Sequence, residues 1–249
     1  MMNAPVFSII TITYNAEQTL ERTIRSVQSQ TYPHIEYILV DGASKDGTME
    51  LVECYRSLFA KVVNEPDKGL YDAMNKGMHL ATGDYLCFLN AGDRFHAPDT
   101  LEQAVQGLEG YSELPDVLYG QTDLVDFNGN YLRPRHYLAP ERLDWKSFSR
   151  GMLVCHQAFW VKRTLAEPYD LQYRFSADYD WCIRILKKGA FFRNTHLTLI
   201  DYLEEGMTTQ NHKASLIERF RIMIRWYGWW VTAIAHLRML GRALFGSLG

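Results

Sequence analysis

The sequence predicts an α/β protein: a mixed, mainly parallel sheet flanked by helices, with a C-terminal amphipathic helical extension. Three observations predict it. Short β-branched runs alternate with segments of helical periodicity from residue 6 to residue 89, the signature of βαβ units and a parallel sheet. Three of those runs end in acid-bearing turns at Asp41, Asp67 and Asp93. After residue 213, arginine, tryptophan and leucine intermix with few acids.

Val6-Phe7-Ser8-Ile9-Ile10-Thr11-Ile12 is a β-branched first strand. Asn15 is expected to cap the following helix, with Gln18 completing a capping box and Leu20, Ile24 and Val27 forming its apolar stripe. Ile35 to Val40 is strand two. It runs into Asp41-Gly42-Ala43-Ser44-Lys45-Asp46-Gly47-Thr48 and then a helix carrying Leu51, Val52, Tyr55, Leu58 and Phe59 inward. Lys61 to Asn64 is strand three, ending in Glu65-Pro66-Asp67-Lys68-Gly69, and Tyr71 to Leu80 is the next helix. Tyr85-Leu86-Cys87-Phe88-Leu89 is short and wholly apolar, as a buried strand should be, and it stops at Asn90-Ala91-Gly92-Asp93.

Beyond Asp93 the alternation weakens. A helix is expected at Leu101 to Leu108, a strand at Asp116 to Gly120, and a hairpin at Asn128-Gly129. Residues 133–151 read as an irregular basic and aromatic loop region, and His156 to Val161 as a strand opening on polar groups. Phe175 to Asp180 leads into a helix. The organisation expected is a domain over 1–212, split at about residue 95 into two halves, with 213–249 as a tail.

A chain of 249 residues with 47% hydrophobic and 22% charged residues has an ordinary globular composition. Its net charge of −3 leaves no nucleic-acid footprint. Cys54, Cys87, Cys155 and Cys182 are scattered without zinc spacing, which suits a reducing compartment. The start shows no basic and apolar leader, and no run is long enough for an ordinary membrane span, so a cytoplasmic setting is expected.

Right-handed crossovers bring the carboxyl ends of successive parallel strands to one edge, where open α/β sheets bind ligands. One acidic turn there is unremarkable, whereas three make a site. A carboxylate at that edge can hold a hard divalent cation, and small neighbours let a phosphorylated ligand approach the backbone.

Ser8 to Asn15, Val40 to Thr48, Glu65 to Gly77 (EPDKGLYDAMNKG) and Ala81 to Asp93 together resemble family-2 glycosyltransferases, with His156-Gln157 and Ser176 to Asp180 extending the likeness over residues 6–205. The wording of the motifs looks closest to exopolysaccharide enzymes of the colanic-acid type. The resemblance implies the GT-A nucleotide-sugar fold and an inverting, metal-dependent transfer from a nucleotide sugar, a UDP-sugar being expected, to a lipid-linked saccharide. Two departures stand out. The first position of the family's Asp-x-Asp is Asn90, which leaves the charge for Mn²⁺ or Mg²⁺ to Asp93. The usual Glu-Asp pair is Ala177-Asp178.

The resemblance makes Asp178 the general base that activates the acceptor hydroxyl. It makes Asp93 the metal residue with Asn90 beside it, Asp41 the partner of the nucleobase, and Thr13 and Tyr14 its lining. Lys68 and Asp72 flank the same region; a lysine in a polar turn is more often solvated, and the alternative is that it neutralises a phosphate. His156 and Gln157 are acceptor-side candidates, against the plainer role of structural residues. Asp180 falls about 200° around the helix from Asp178 and is expected to be solvated or capping.

The stretch 214–245 suits a helix lying in a membrane interface, peripheral at the inner face, or one packed on the domain or in a homodimer. Arg225-Trp226 matches the end of a Gln-x-x-Arg-Trp motif found in processive synthases, but Ile222 stands at its Gln position. Two other functions fit the fold class. A sugar nucleotidyltransferase would want a glycine- and arginine-rich loop where Thr13-Tyr14-Asn15-Ala16-Glu17 stands, and a non-catalytic nucleotide-sugar-binding module would need no base.

Overall fold

The computed structural model describes residues 4–204 and 212–245. Its strands are β1 (Phe7–Thr13), β2 (Ile35–Asp41), β3 (Lys61–Asn64), β4 (Tyr85–Phe88), β5 (Arg94–Phe95), β6 (Val117–Val125), β7 (Tyr131–Pro134), β8 (Phe159–Lys162) and β9 (Phe192–Leu203). Its helices are α1 (Leu20–Gln28), α2 (Thr48–Cys54), α3 (Leu70–Leu80), α4 (Thr100–Gln106), α5 (Ala177–Lys188) and α6 (His212–Phe245).

One sheet runs through both halves of the chain in the order β3-β2-β1-β4-β8-β6-β9-β5, with β7 paired to β6. Strands β3, β2, β1 and β4 are mutually parallel, as the βαβ pattern requires. β8 then enters antiparallel between β4 and β6, and β9 runs parallel to β6. The sheet is therefore mixed from β8 onward. Every side chain of β1 is buried, because helices cover both faces of the parallel half. α3 sits so close to β1 that a Cβ at Gly77 would lie 2.4 Å from Ile10 Cγ2.

Under the junction of the two halves lies an aromatic block. Trp181 stacks on Tyr169 with centroids 4.8 Å apart, and Phe88 and His156 pack edge-on or tilted against them. These rings hold α5 against the end of β4.

Several elements differ from the sequence reading. α1 begins at Leu20 with Thr19 at its N-cap, not at Asn15. Asn15 sits at φ 48° with its own polar groups spent elsewhere: its N–H donates to Ser44 Oγ and its Oδ1 accepts from Lys45 N. α2 ends at Cys54, and Arg56–Leu58 continue as a 3-10 turn. His156–Ala158 form a 3-10 turn rather than the start of a strand. β5 and β9 have no counterpart in that reading, although β9 is the sheet partner of both β5 and β6.

α6 is broken at Gly228, whose φ of 79° and ψ of 166° are not helical. Phe220 and His236 lie 16 residues apart, about 24 Å along a straight helix. Their rings meet at 5.0 Å. The two arms therefore fold back on one another at the break. The first arm packs on the domain, its Tyr227 ring stacked at 5.6 Å on Trp145.

Candidate active site

The loops after β1, β2 and β3 close around Gly42. A Cβ at Gly42 would stand 2.5 Å from Asp67 Oδ2 and 3.3 Å from the Tyr14 ring. Only glycine lets the three loops approach that closely. Asp41 is fully buried at the end of β2, where its oxygens accept from Ser44 N (2.8 Å) and Ser44 Oγ (2.5 Å). The turn this carboxylate ties puts Ala43 at φ 62°, a left-handed conformation that costs an alanine about 1 kcal/mol. The Tyr14 ring is 63% exposed, an aromatic face left open at the strand ends, whereas Thr13 is buried and its Oγ1 has no hydrogen-bond partner among the described residues.

Asp67 Oδ1 accepts from Gly69 N, and Asp72 Oδ2 accepts from Lys68 N. These two acids shape the turn into α3 and leave the Lys68 side chain exposed. Tyr71 follows directly. Its hydroxyl donates to Asp178 Oδ1 at 2.9 Å, which brings the first turn of α5 to the strand-end loops. Asp178 Oδ1 also accepts from Tyr179 N, and Oδ2 takes no hydrogen bond from the described residues. A half-buried carboxylate held on one oxygen and open on the other can accept a proton from a bound hydroxyl. Burial drives the Tyr71 pKa well up and the Asp178 charge adds to it, so the phenol stays a donor.

Asp93 is 3% exposed, with Oδ1 accepting from Leu203 N and Oδ2 from Gln157 Nε2, both at 2.9 Å. Burial outweighs these bonds and raises its pKa to about 7. Gly92, at φ 102°, turns the chain there, and a Cβ would lie 2.7 Å from Leu203 Cδ2. Asn90 Oδ1 is buried without a hydrogen-bond partner among the described residues, an acceptor waiting for a donor or a cation. His156 and Gln157 are both buried. His156 Nε2 meets Tyr169 Oη at 2.6 Å, and burial lowers its pKa to about 4, so it is neutral. Gln157 bridges Asp93 and the Cys155 thiol. The structure thus places both inside the core behind Asp93, with their polar atoms on protein partners.

Asp180 is a correction. It is fully buried rather than solvated: Arg184 Nε donates to Oδ2 at 2.8 Å and Trp226 Nε1 to Oδ1 at 2.7 Å. A charge taken out of water needs such partners, and the folded-back arm of α6 supplies one of them. The same arm grips the other side of Asp178. Glu218 accepts from Arg174 N and Phe175 N, each at 2.8 Å, and Ser215 Oγ lies 2.9 Å from Ser176 Oγ. Sequence reasoning missed Glu218, which has no motif to mark it, and Tyr71, which lay inside EPDKGLYDAMNKG. Arg219 was missed as well. Its Nε is buried without a partner among the described residues, and its charge opposes the burial that raises the Tyr71 and Tyr179 hydroxyls.

Two groups offer cation ligands. At the strand end, Asn90 Oδ1 is free, and each Asp93 oxygen uses one of two lone pairs. These residues fit a cation held mainly by a ligand's own phosphates. Elsewhere, His96, Asp123 and Asp201 have ligand atoms within 4.8 Å of one another. There Asp201 already pairs with Arg94 at 2.8 Å and with His96 Nδ1 at 2.7 Å.

Comparison with known proteins agrees with this geometry. The sequence profile of "Glycosyl transferase family 2" matches residues 8–169. A PGL/p-HBAD biosynthesis glycosyltransferase of Mycobacterium tuberculosis is 35% identical over 212 residues, 82% of this chain and 79% of its own length. The amylovoran biosynthesis glycosyltransferase AmsB of Erwinia amylovora is 29% identical over 227 residues, covering 85% and 74%. Among solved structures, S. aureus TarS 1-349 in complex with UDP-GlcNAc superposes with a TM-score of 0.67 at 18% identity, over 88% of this chain and 65% of that one. The mannosyltransferase PcManGT from Pyrobaculum calidifontis, in complex with GDP-Man and Mn²⁺, gives 0.61 at 18% over 99% and 76%. The two structures share the mixed α/β GT-A fold of this chain. With a profile match over most of the sequence and a relative above one-third identity, the chain belongs to glycosyl transferase family 2.

Proposed function

We propose that this protein transfers a sugar, with inversion, from a UDP-sugar to a lipid-linked saccharide in surface or exopolysaccharide synthesis of the colanic-acid kind, at the inner face of the cytoplasmic membrane. The observation that carries the reading is the Tyr71–Asp178 hydrogen bond, which joins the donor-side helix α3 to the first turn of α5. It puts one carboxylate, open on Oδ2, at the edge where the β1–β4 loops would hold a nucleotide. The UDP-GlcNAc and exopolysaccharide relatives support the donor and the pathway class.

In this mechanism the Tyr14 ring packs on the base and Asp41, with Thr13 beside it, accepts the ring N–H. Lys68, beside Asp72, offers a charge to the diphosphate. The acceptor hydroxyl gives its proton to Asp178 as its oxygen bonds to the anomeric carbon from the side opposite the nucleotide. The carbon–oxygen bond to the diphosphate breaks, and UDP leaves with the electron pair. Proton removal by a placed carboxylate contributes about 10²–10⁴-fold. A divalent cation, Mn²⁺ or Mg²⁺, would be held by Asn90 Oδ1 and Asp93 and would neutralise charge on the leaving diphosphate. His156 and Gln157 act on the acceptor side through the core, keeping Asp93 in place.

UDP-, GDP- and dTDP-sugars incubated with the enzyme, a membrane extract and Mn²⁺ or Mg²⁺ should show nucleoside-diphosphate release from a UDP-sugar alone, abolished by EDTA. Tight UDP binding with no release in the presence of extract would instead indicate a binding module. Release of pyrophosphate from a sugar phosphate and UTP would indicate a nucleotidyltransferase.

A further inference from the structure

We propose that the second arm of α6 is a docking surface for an anionic phospholipid bilayer, with Trp229, Trp230, Ile234 and Leu237 entering the interface. These side chains are 57%, 77%, 49% and 68% exposed, although all are large and apolar. Trp230, Ile234 and Leu237 recur at i, i+4 and i+7, so they form one stripe of the arm. The other side of the arm is already used. Thr232 is buried with Oγ1 donating to Gly228 O, and His236 packs on Phe220.

The chemistry of the occupant follows from charge. Residues 219–249 hold five arginines and no lysine or acid, two of the arginines (Arg238 and Arg242) having side chains outside the described residues. A second copy docked on this face would set arginines against arginines. An anionic bilayer instead gains about 1 kcal/mol for each cation near its surface. Adjacent tryptophans, at 5.2 Å and edge to face, suit the headgroup level, where one side of a ring is apolar and the other wet. No helix among the described residues is long and apolar enough to cross a membrane, so the arm lies along the surface.

The break at Gly228 gives this surface a mechanical consequence. The first arm is tied to Arg174, Phe175, Ser176 and Asp180, on both sides of Asp178. The second arm is folded against the first. Bilayer contact therefore fixes where the α5 carboxylate stands relative to the lipid surface. Only this consequence rests on the transferase reading; the docking surface does not.

The test reads binding and no sugar chemistry. The full chain is sedimented with vesicles of equimolar phosphatidylglycerol and phosphatidylcholine, and with phosphatidylcholine alone. Tryptophan quenching by brominated lipid is read in parallel. Binding to the anionic vesicles at least about tenfold tighter than to the neutral ones is expected, weakening as salt is added. Trp230→Ser with Leu237→Ser should abolish it while circular dichroism and melting temperature stay at wild-type values. Equal binding to both vesicles, salt-insensitive binding, or retention of the variant on vesicles would overturn the proposal. So would a dimer in sedimentation velocity that the same substitutions dissociate while vesicles bind neither form. If the variant unfolds, the wild-type comparison of the two vesicles and its salt dependence still decide.

Discussion

Asp93 and His156 are both buried, 3% and 5% exposed, and they pull the pH dependence of stability in opposite directions. Burial raises Asp93 from 3.8 to about 7. Between those values the native state binds more protons than the unfolded chain, so its contribution is complete below about pH 4 and is lost as pH rises through about 7. At 1.36 kcal/mol per unit, that loss amounts to about 4 kcal/mol. Burial lowers His156 from 6.5 to about 4. Its contribution is complete above about pH 6.5 and is lost as pH falls through about 4, an opposite change of about 3 kcal/mol. From about pH 4 to 6.5 the two slopes nearly cancel, and the pair contributes a flat profile. Asp93→Asn removes one of them while keeping an acceptor for Leu203 N. Urea denaturation of wild type and variant at half-unit steps from about pH 4.5 to 7.5 measures this directly. The variant's stability relative to wild type should rise by about 3 kcal/mol or more across the range. Parallel profiles would refute the argument, because they would mean that Asp93 is ionised throughout.

The same titration bears on the cation. Below about pH 7 a proton competes for Asp93, so the Mn²⁺ concentration giving half-maximal transfer should rise up to about tenfold per unit of falling pH; a pH-independent requirement would move the metal away from Asp93. Ala43→Gly should stabilise the fold by about 1 kcal/mol in urea denaturation, since glycine adopts a φ of 62° without strain, and should leave the donor Kd unchanged. Glu218→Ala strands the Arg174 and Phe175 N–H groups at a cost of about 1–3 kcal/mol. As a positioning residue for Asp178, Glu218 should lower kcat when lost while donor KM holds, and Glu218→Gln, which keeps an acceptor oxygen, should recover part of the rate.

How much was legible follows from where the information lies. β1 to β4 and the helices between them could be read because each packs with its sequence neighbours, so local periodicity and tertiary structure agree. The acid-bearing turns were visible for the same reason. β9 could not be read this way: His196 at φ 60° interrupts it, and its partners β5 and β6 lie far back in the chain. The shift of the α1 start has a tertiary cause too, since Asn15 is drawn off by Ser44 and Lys45. Asp178 was legible only through the family motif, whereas Tyr71, Glu218 and Trp226 around it come from three distant segments. Asp180 was misread because helical geometry turns it from Asp178, but nothing local shows that Trp226 waits on that side.

The central claim is that Asp178 removes the acceptor proton. Its most direct test pairs transfer rate with donor affinity in Asp178→Asn, which keeps the shape and the Tyr71 hydrogen bond but cannot take up a proton. The account predicts a UDP-sugar Kd by calorimetry within about twofold of wild type and a kcat lower by about 10²-fold or more. Transfer at a near wild-type rate by the correctly folded variant would contradict it and remove the base from α5.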